Sequence, residues 1–197
     1  MQWDFAMDNG CRNVLLGVSG SVAALRTEEL VSHLTQANYN VVVVMTSAAH
    51  HFVDKSRLTV PVYTDSDEYG CWRTRGDDVL HIKLKNWAQI FLIAPLSANT
   101  LAKIAGGLCD NLLTCIARAW YFEEPIGIFA PAMNSAMWKN PLTSKHVDVL
   151  RNTLNWHMIN PVCKTLVCGE FGEGAMEEPF KIVQHIEALF RQKLQCF

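Results

Sequence analysis

A disulfide framework or a zinc knuckle is not expected in this chain. It holds seven cysteines, an odd number, and no two stand in a Cys-x-x-Cys pair. Free thiols of this kind point to a reducing, cytoplasmic setting. A basic excess is missing as well: 17 Lys and Arg face 19 Asp and Glu, for a net charge of −2, which excludes a general polyanion binder. No apolar run approaches the ~20 residues needed to cross a bilayer. The start, Met1-Gln2-Trp3-Asp4, has no basic stretch followed by an apolar one, so no secretory leader is expected. The seven histidines, the His50-His51 pair included, show no metal-ligand spacing, so no metal is expected. Internal repeats and low-complexity tracts are absent too.

What is present is half hydrophobic, which argues against disorder. The 197 residues suit one domain, expected over 13–197 behind a polar arm at 1–12. Four short apolar runs have strand length: Asn13 to Gly17, Val41 to Met45, Ile90 to Ala94 and Ile126 to Ala130. Val41-Val42-Val43-Val44 is the mark of a strand buried on both faces of a parallel sheet. Helical spacing predicts helices from Val22 to about Gln36, from near Asn99 to Gly106, from Asp110 or Asn111 to Trp120, from Pro141 to about Leu154, and from Pro179 to about Leu194. A shorter helix is expected at Ser47 to Val53, and short strands at Val60 to Tyr63 and Trp156 to Ile159. Asp65 to Asp78 is polar and reads as a long loop. Strands alternating with helices imply a doubly wound α/β fold of three layers, with a parallel sheet whose strand-end loops share one edge.

Those strand ends carry the chemistry. Gly17-Val18-Ser19-Gly20-Ser21 opens a helix, where free N–H groups suit a phosphate. It is not the Gly-x-Gly-x-x-Gly dinucleotide pattern, no Walker lysine is present, and the second strand ends at Met45-Thr46-Ser47 without an acid for a ribose diol. A mononucleotide with a ribityl chain fits these hydroxyls better; the alternative is a tight turn with a serine cap. Ser97-Ala98-Asn99-Thr100 offers a second anion or amide site, or a helix cap. Asn134, after Ala132-Met133, is able to donate to and accept from a substrate, or to cap a helix. Cys168 opens a segment with three glycines in six residues, which suits a moving flap, while a lone cysteine is otherwise a small core residue. His81 lies in the alternating stretch Val79 to Leu84 and has either a structural or a catalytic role.

Taken together, these pieces resemble the homo-oligomeric flavin-containing cysteine decarboxylases. The matching segments are 17–23, Leu80-His81-Ile82, 94–101, Gly106 to Trp120, 131–138 and Val167-Cys168-Gly169, in the family's order. The resemblance implies a flavodoxin-like fold, bound FMN, and a homotrimer with active sites between subunits. It implies an FMN site of Gly20, Ser21, Val22, Thr46, Phe52, Ser97, Ala98, Asn99, Thr100 and Ala132. By the same carry-over His81 is the catalytic base and Cys168 the proton donor, and Asn134, Met133, Lys85 and Gly169 hold the substrate.

That substrate is expected to be 4′-phosphopantothenoylcysteine, decarboxylated to 4′-phosphopantetheine on the route to coenzyme A. In the implied mechanism the thiol-bearing carbon gives a hydride to FMN and becomes a thioaldehyde. The C=S group accepts the electrons as CO2 leaves, and the enethiolate is then reduced. One departure matters: where the family often has a basic pair after the histidine, this chain has Lys85-Asn86. Asn86 cannot make the bidentate charged contact of an arginine. Other readings stay open: a peptidyl-cysteine decarboxylase, a flavoprotein that inhibits a protein phosphatase, a prenyl-FMN synthase, and a general nucleotide-binding α/β protein.

Overall fold

The computed structural model describes residues 10–120, 126–165 and 171–194. Its apolar runs form the strands. β1 (Arg12–Val18), β2 (Tyr39–Met45), β4 (Ile90–Leu96) and β5 (Ile126–Pro131) lie side by side, with short edge strands β3 (Val62–Tyr63) and β6 (His157–Met158). The order is β3-β2-β1-β4-β5-β6, and every pairing is parallel. Without the two-residue edge strand β3 this is the flavodoxin order, with its switch point between β1 and β4. β1 opens at Arg12, so the sheet begins inside the segment expected to be an arm, and residues 1–9 lie outside the described residues.

Side-chain alternation splits the core into two layers. Leu16, Val43, Leu92 and Ile128 face one side and pack with Leu30, Val31 and Leu34 of α1 (Thr27–Gln36) and Ile182 and Ile186 of α8 (Pro179–Leu194). Leu15, Val44, Phe91 and Phe129 face the other. They meet α3 (Leu80–Trp87), α4 (Ala98–Ala105), α5 (Leu112–Ala119) and α7 (Pro141–Asp148), the last running on through a π turn at Val149–Thr153. Each such apolar side chain, fully buried, contributes about 1.5–3 kcal/mol.

Two expectations are corrected. The segment read as a loop holds a helix, α2 (Asp65–Cys71). The Thr64 N–H donates to the Asp67 carboxylate at 2.8 Å, and three acids in the first turn suit the positive helix end. The alternating stretch around His81 is helical too: Leu80, Leu84 and Trp87 recur at helical spacing and are buried. A further addition follows the sheet. β7 (Val162–Thr165) and β8 (Phe171–Ala175) form an antiparallel ribbon, so part of the glycine-rich segment is strand.

β5 is pinned by a close approach. An added Cβ at Gly127 would lie 2.7 Å from three ring atoms of Trp156, whose ring stands edge-on to Phe91. Gly127→Ala therefore displaces the indole. Urea unfolding is expected to show a loss of about 1–3 kcal/mol; an unchanged midpoint contradicts this packing.

Candidate functional site

Because β2, β1, β4 and β5 run parallel, their C-terminal ends bring Thr46, Gly20 and Ser21, Ser97 to Thr100, and Ala132 to Asn134 to one edge of the sheet. Hydrogen bonds fasten these ends together. Ser19 donates its hydroxyl to the Pro95 carbonyl at 2.8 Å and accepts the Ser97 N–H at 2.8 Å. Its hydroxyl is thus spent on structure, not held out as a donor. Ser21 donates to the Ala132 carbonyl at 3.2 Å and caps the 3₁₀ turn Val22–Arg26. Ser97 caps α4 by accepting the Thr100 N–H. Asn134 caps α6 (Ser135–Trp138): its Oδ1 accepts the Met137 N–H at 2.8 Å. Among the described residues the Asn134 amide N–H2 group makes no such contact, and it is the end that could serve a substrate.

A cavity of about 330 Å³ opens beside this edge. Ser21 and Val22 form one wall, Ala132, Met133 and Asn134 a second, and Lys164 and Gly174 of the ribbon a third. The ribbon is held by the bond from the Met133 N–H to the Gly174 carbonyl at 2.9 Å. Gly174 has φ +115°, and a Cβ there would collide with the Met133 carbonyl, so only glycine lets the ribbon lie this close.

An ion-pair cluster that the sequence did not reveal borders the cavity. Glu178 accepts from Arg26 at 2.9 Å and from Lys164 at 3.2 Å, and Arg26 also grips Glu29. Burial alone would raise the Glu178 carboxyl, but the hydrogen bonds from Arg26 and Lys164 outweigh it and hold it below the ordinary carboxylate value.

His81, Lys85 and the flap sit elsewhere. His81 is half-buried on α3 and does not line the cavity; its ring meets Glu68 of α2. Lys85, expected to hold the substrate, is buried on the inner side of α3 with Leu84 and Trp87 and does not line the cavity either. Cys168 and Gly169 fall between the two ribbon strands and lie outside the described residues.

A chain with this sheet and site belongs to the flavoprotein family, whose model matches residues 6–191. Phosphopantothenoylcysteine decarboxylase of Oryza sativa subsp. japonica is 52% identical over 84% of this chain and 75% of its own length. A solved cysteine-to-serine mutant of PPC decarboxylase, complexed with pantothenoylaminoethenethiol, superposes with a TM-score of 0.88 at 47% identity, covering 92% of this chain and 99% of that one. The FMN binding protein AtHal3 gives a TM-score of 0.85 at 48% identity, covering 92% and 97%.

The site's own features fit a flavin mononucleotide. Thr46 is buried and its hydroxyl has no partner among the described residues, an arrangement that a ligand would complete. An added Cβ at Gly20 would come within 2.5 Å of the Ala48 Cβ, so the turn after β1 is packed too closely for any larger residue. The remaining candidates are neutral: hydroxyls, the exposed Asn99 amide and the N-terminal N–H groups of α4, which suit a ribityl chain and a phosphate. Phe52 is half-buried just beyond the 3₁₀ turn Ser47–His51.

Two outcomes follow. Thr46→Val should leave the melting temperature of the flavin-free chain unchanged or higher, while the FMN dissociation constant rises about 2–10-fold, the worth of one neutral hydrogen bond; titration of the flavin spectrum measures it. For Glu178, a folded value below its ordinary 4.5 means that its stabilisation is complete above about pH 4.5 and is lost as pH falls through the depressed value. Melting curves across pH should show this loss, and Glu178→Gln should remove that part of the slope.

Proposed function

We propose that this chain is an FMN-dependent carboxy-lyase that converts 4′-phosphopantothenoylcysteine to 4′-phosphopantetheine and CO2 in coenzyme A biosynthesis. The observation that carries the reading is the cavity that joins Ser21 and Val22 to Met133 and Asn134, in a chain about half identical to phosphopantothenoylcysteine decarboxylases.

A plain α-carboxylate holds its CO2 because the electrons left behind have nowhere to go. When bound at the strand ends, FMN supplies a reversible two-electron acceptor for the carbon that carries the thiol. The chain supplies position and protons. Asn134, through its amide, and Met133 hold the substrate across the cavity. His81 takes the thiol proton at its ring nitrogen Nε2, and Cys168, with Gly169 beside it, returns a proton to the enethiolate carbon. General acid–base help of this kind is worth ~10²–10⁴-fold.

His81 does not line the cavity of its own chain, and this supports a homotrimer in which one subunit's histidine serves another's flavin. Exposed apolar surface surrounds it: Tyr69 is 76% and Trp72 56% exposed, with Val79 and Ile82 beside them. The cytoplasmic setting rests on the free thiols of Cys109, Cys115 and Cys163.

The test is direct. The purified protein should be yellow and release CO2 from 4′-phosphopantothenoylcysteine. Cys168→Ser should still release CO2 but accumulate the unsaturated enethiol, and His81→Asn should keep FMN yet release none. A colourless protein that refuses added FMN overturns the reading; equal loss of CO2 release and of product reduction in Cys168→Ser overturns the role of Cys168.

A further inference from the structure

The surroundings of His81 are more organised than a surface histidine needs. Its Nδ1 lies 2.6 Å from Glu68 Oε1, and its backbone N–H donates to Glu68 Oε2 at 3.1 Å. One carboxylate therefore fixes both the ring and the first turn of the helix that carries it. Glu68 is itself held. It stands on α2, whose N-terminus is locked by Thr64 and Asp67, and whose Asp65 accepts the Leu112 N–H of α5 at 2.8 Å. Its side chain is only 16% exposed, so water screens the pair little.

We infer that Glu68 is the positioning residue of the catalytic base: it sets the tautomer of His81. A carboxylate only accepts hydrogen bonds, so Nδ1 must carry the proton that faces it. The neutral ring then has its lone pair on Nε2, directed away from Glu68. When the substrate thiol gives up its proton, the S–H bond breaks, its electron pair stays on sulfur, and the proton binds Nε2. The imidazolium so formed is held against the Glu68 carboxylate. A histidine without this partner would divide between two tautomers, one of which presents a proton, not a base, to the thiol. This inference rests on the role of His81 proposed above and adds to it a residue that touches neither substrate nor flavin.

Glu68→Gln tests it, because glutamine can still accept the His81 backbone N–H through its oxygen. Its amide nitrogen then faces Nδ1 as a donor and moves the ring proton to Nε2. We expect kcat for CO2 release to fall about 10²-fold, within the range for general-base catalysis, with KM and the flavin spectrum unchanged. Long-range 15N correlation spectra give a second readout, independent of activity and of whether the variant folds. In the unaltered protein the neutral His81 ring should be protonated at Nδ1 and bare at Nε2. A ring protonated at Nε2 in the unaltered protein overturns the inference, as does a Glu68→Gln variant with unchanged kcat. His81→Asn is run beside it. If His81→Asn retains full activity, the assignment of the base fails; if it is inactive while Glu68→Gln is fully active, only the role of Glu68 fails.

Discussion

One hydroxyl secures the place on which the rest of the site depends. Ser19 is fully buried at the end of β1, and its side chain joins the Pro95 carbonyl to the Ser97 N–H at the end of β4. These are the two strands between which the order of the sheet reverses. At such a point the following helices leave on opposite faces and the loops part, opening a crevice along the strand ends. Left to themselves, parted loops would expose backbone groups and drift. The Ser19 bridge holds two of them in register, and the bond from Ser21 to the Ala132 carbonyl carries the same fixation across to β5. The edge is therefore rigid before any ligand arrives, and a rigid edge loses little entropy on binding.

The chemistry is divided between this rigid edge and parts that reach it from elsewhere. Neutral donors at the strand ends suit a cofactor whose own ring does the electron handling. The charged groups stand apart: Arg26 and Lys164 are offset by Glu29 and Glu178 at the rim, where Glu178 ties the ribbon to the turn after β1. Under the proposed function, proton handling falls to His81 and Cys168, and His81, on α3, does not line the cavity at this edge. Such separation suits a reaction that must exclude water while the electrons of the departing carboxylate are parked on a carbon–sulfur bond.

The sheet was legible in the sequence because its strands are continuous apolar runs. Val41 to Met45, buried on both faces, has no other reading at that length. The strand-end residues followed directly, since a parallel sheet puts every C-terminal loop on one edge. α2 was missed for a physical reason. None of its residues is buried, so hydrophobic periodicity had nothing to report, and only the Thr64-x-x-Asp67 capping pattern betrayed it. With α2 unseen, Glu68 could not be placed against a histidine thirteen positions on. The stretch from Val79 to Leu84 fits two periods at once, and Trp87 decides for the helix. Arg26, Lys164 and Glu178 meet only through the fold, and no local pattern links them. The segment with Cys168 was read as a flap from its glycines, which gave no sign that Phe171–Ala175 within it pairs as a strand.

The central claim is electronic: the sulfur-bearing carbon must be oxidised before CO2 departs. Rapid mixing of the flavin-loaded protein with 4′-phosphopantothenoylcysteine, without oxygen, follows flavin absorbance and CO2 release together. The account predicts that the flavin bleaches before CO2 appears and recovers as 4′-phosphopantetheine forms. Release of CO2 with no bleaching at any time would contradict it.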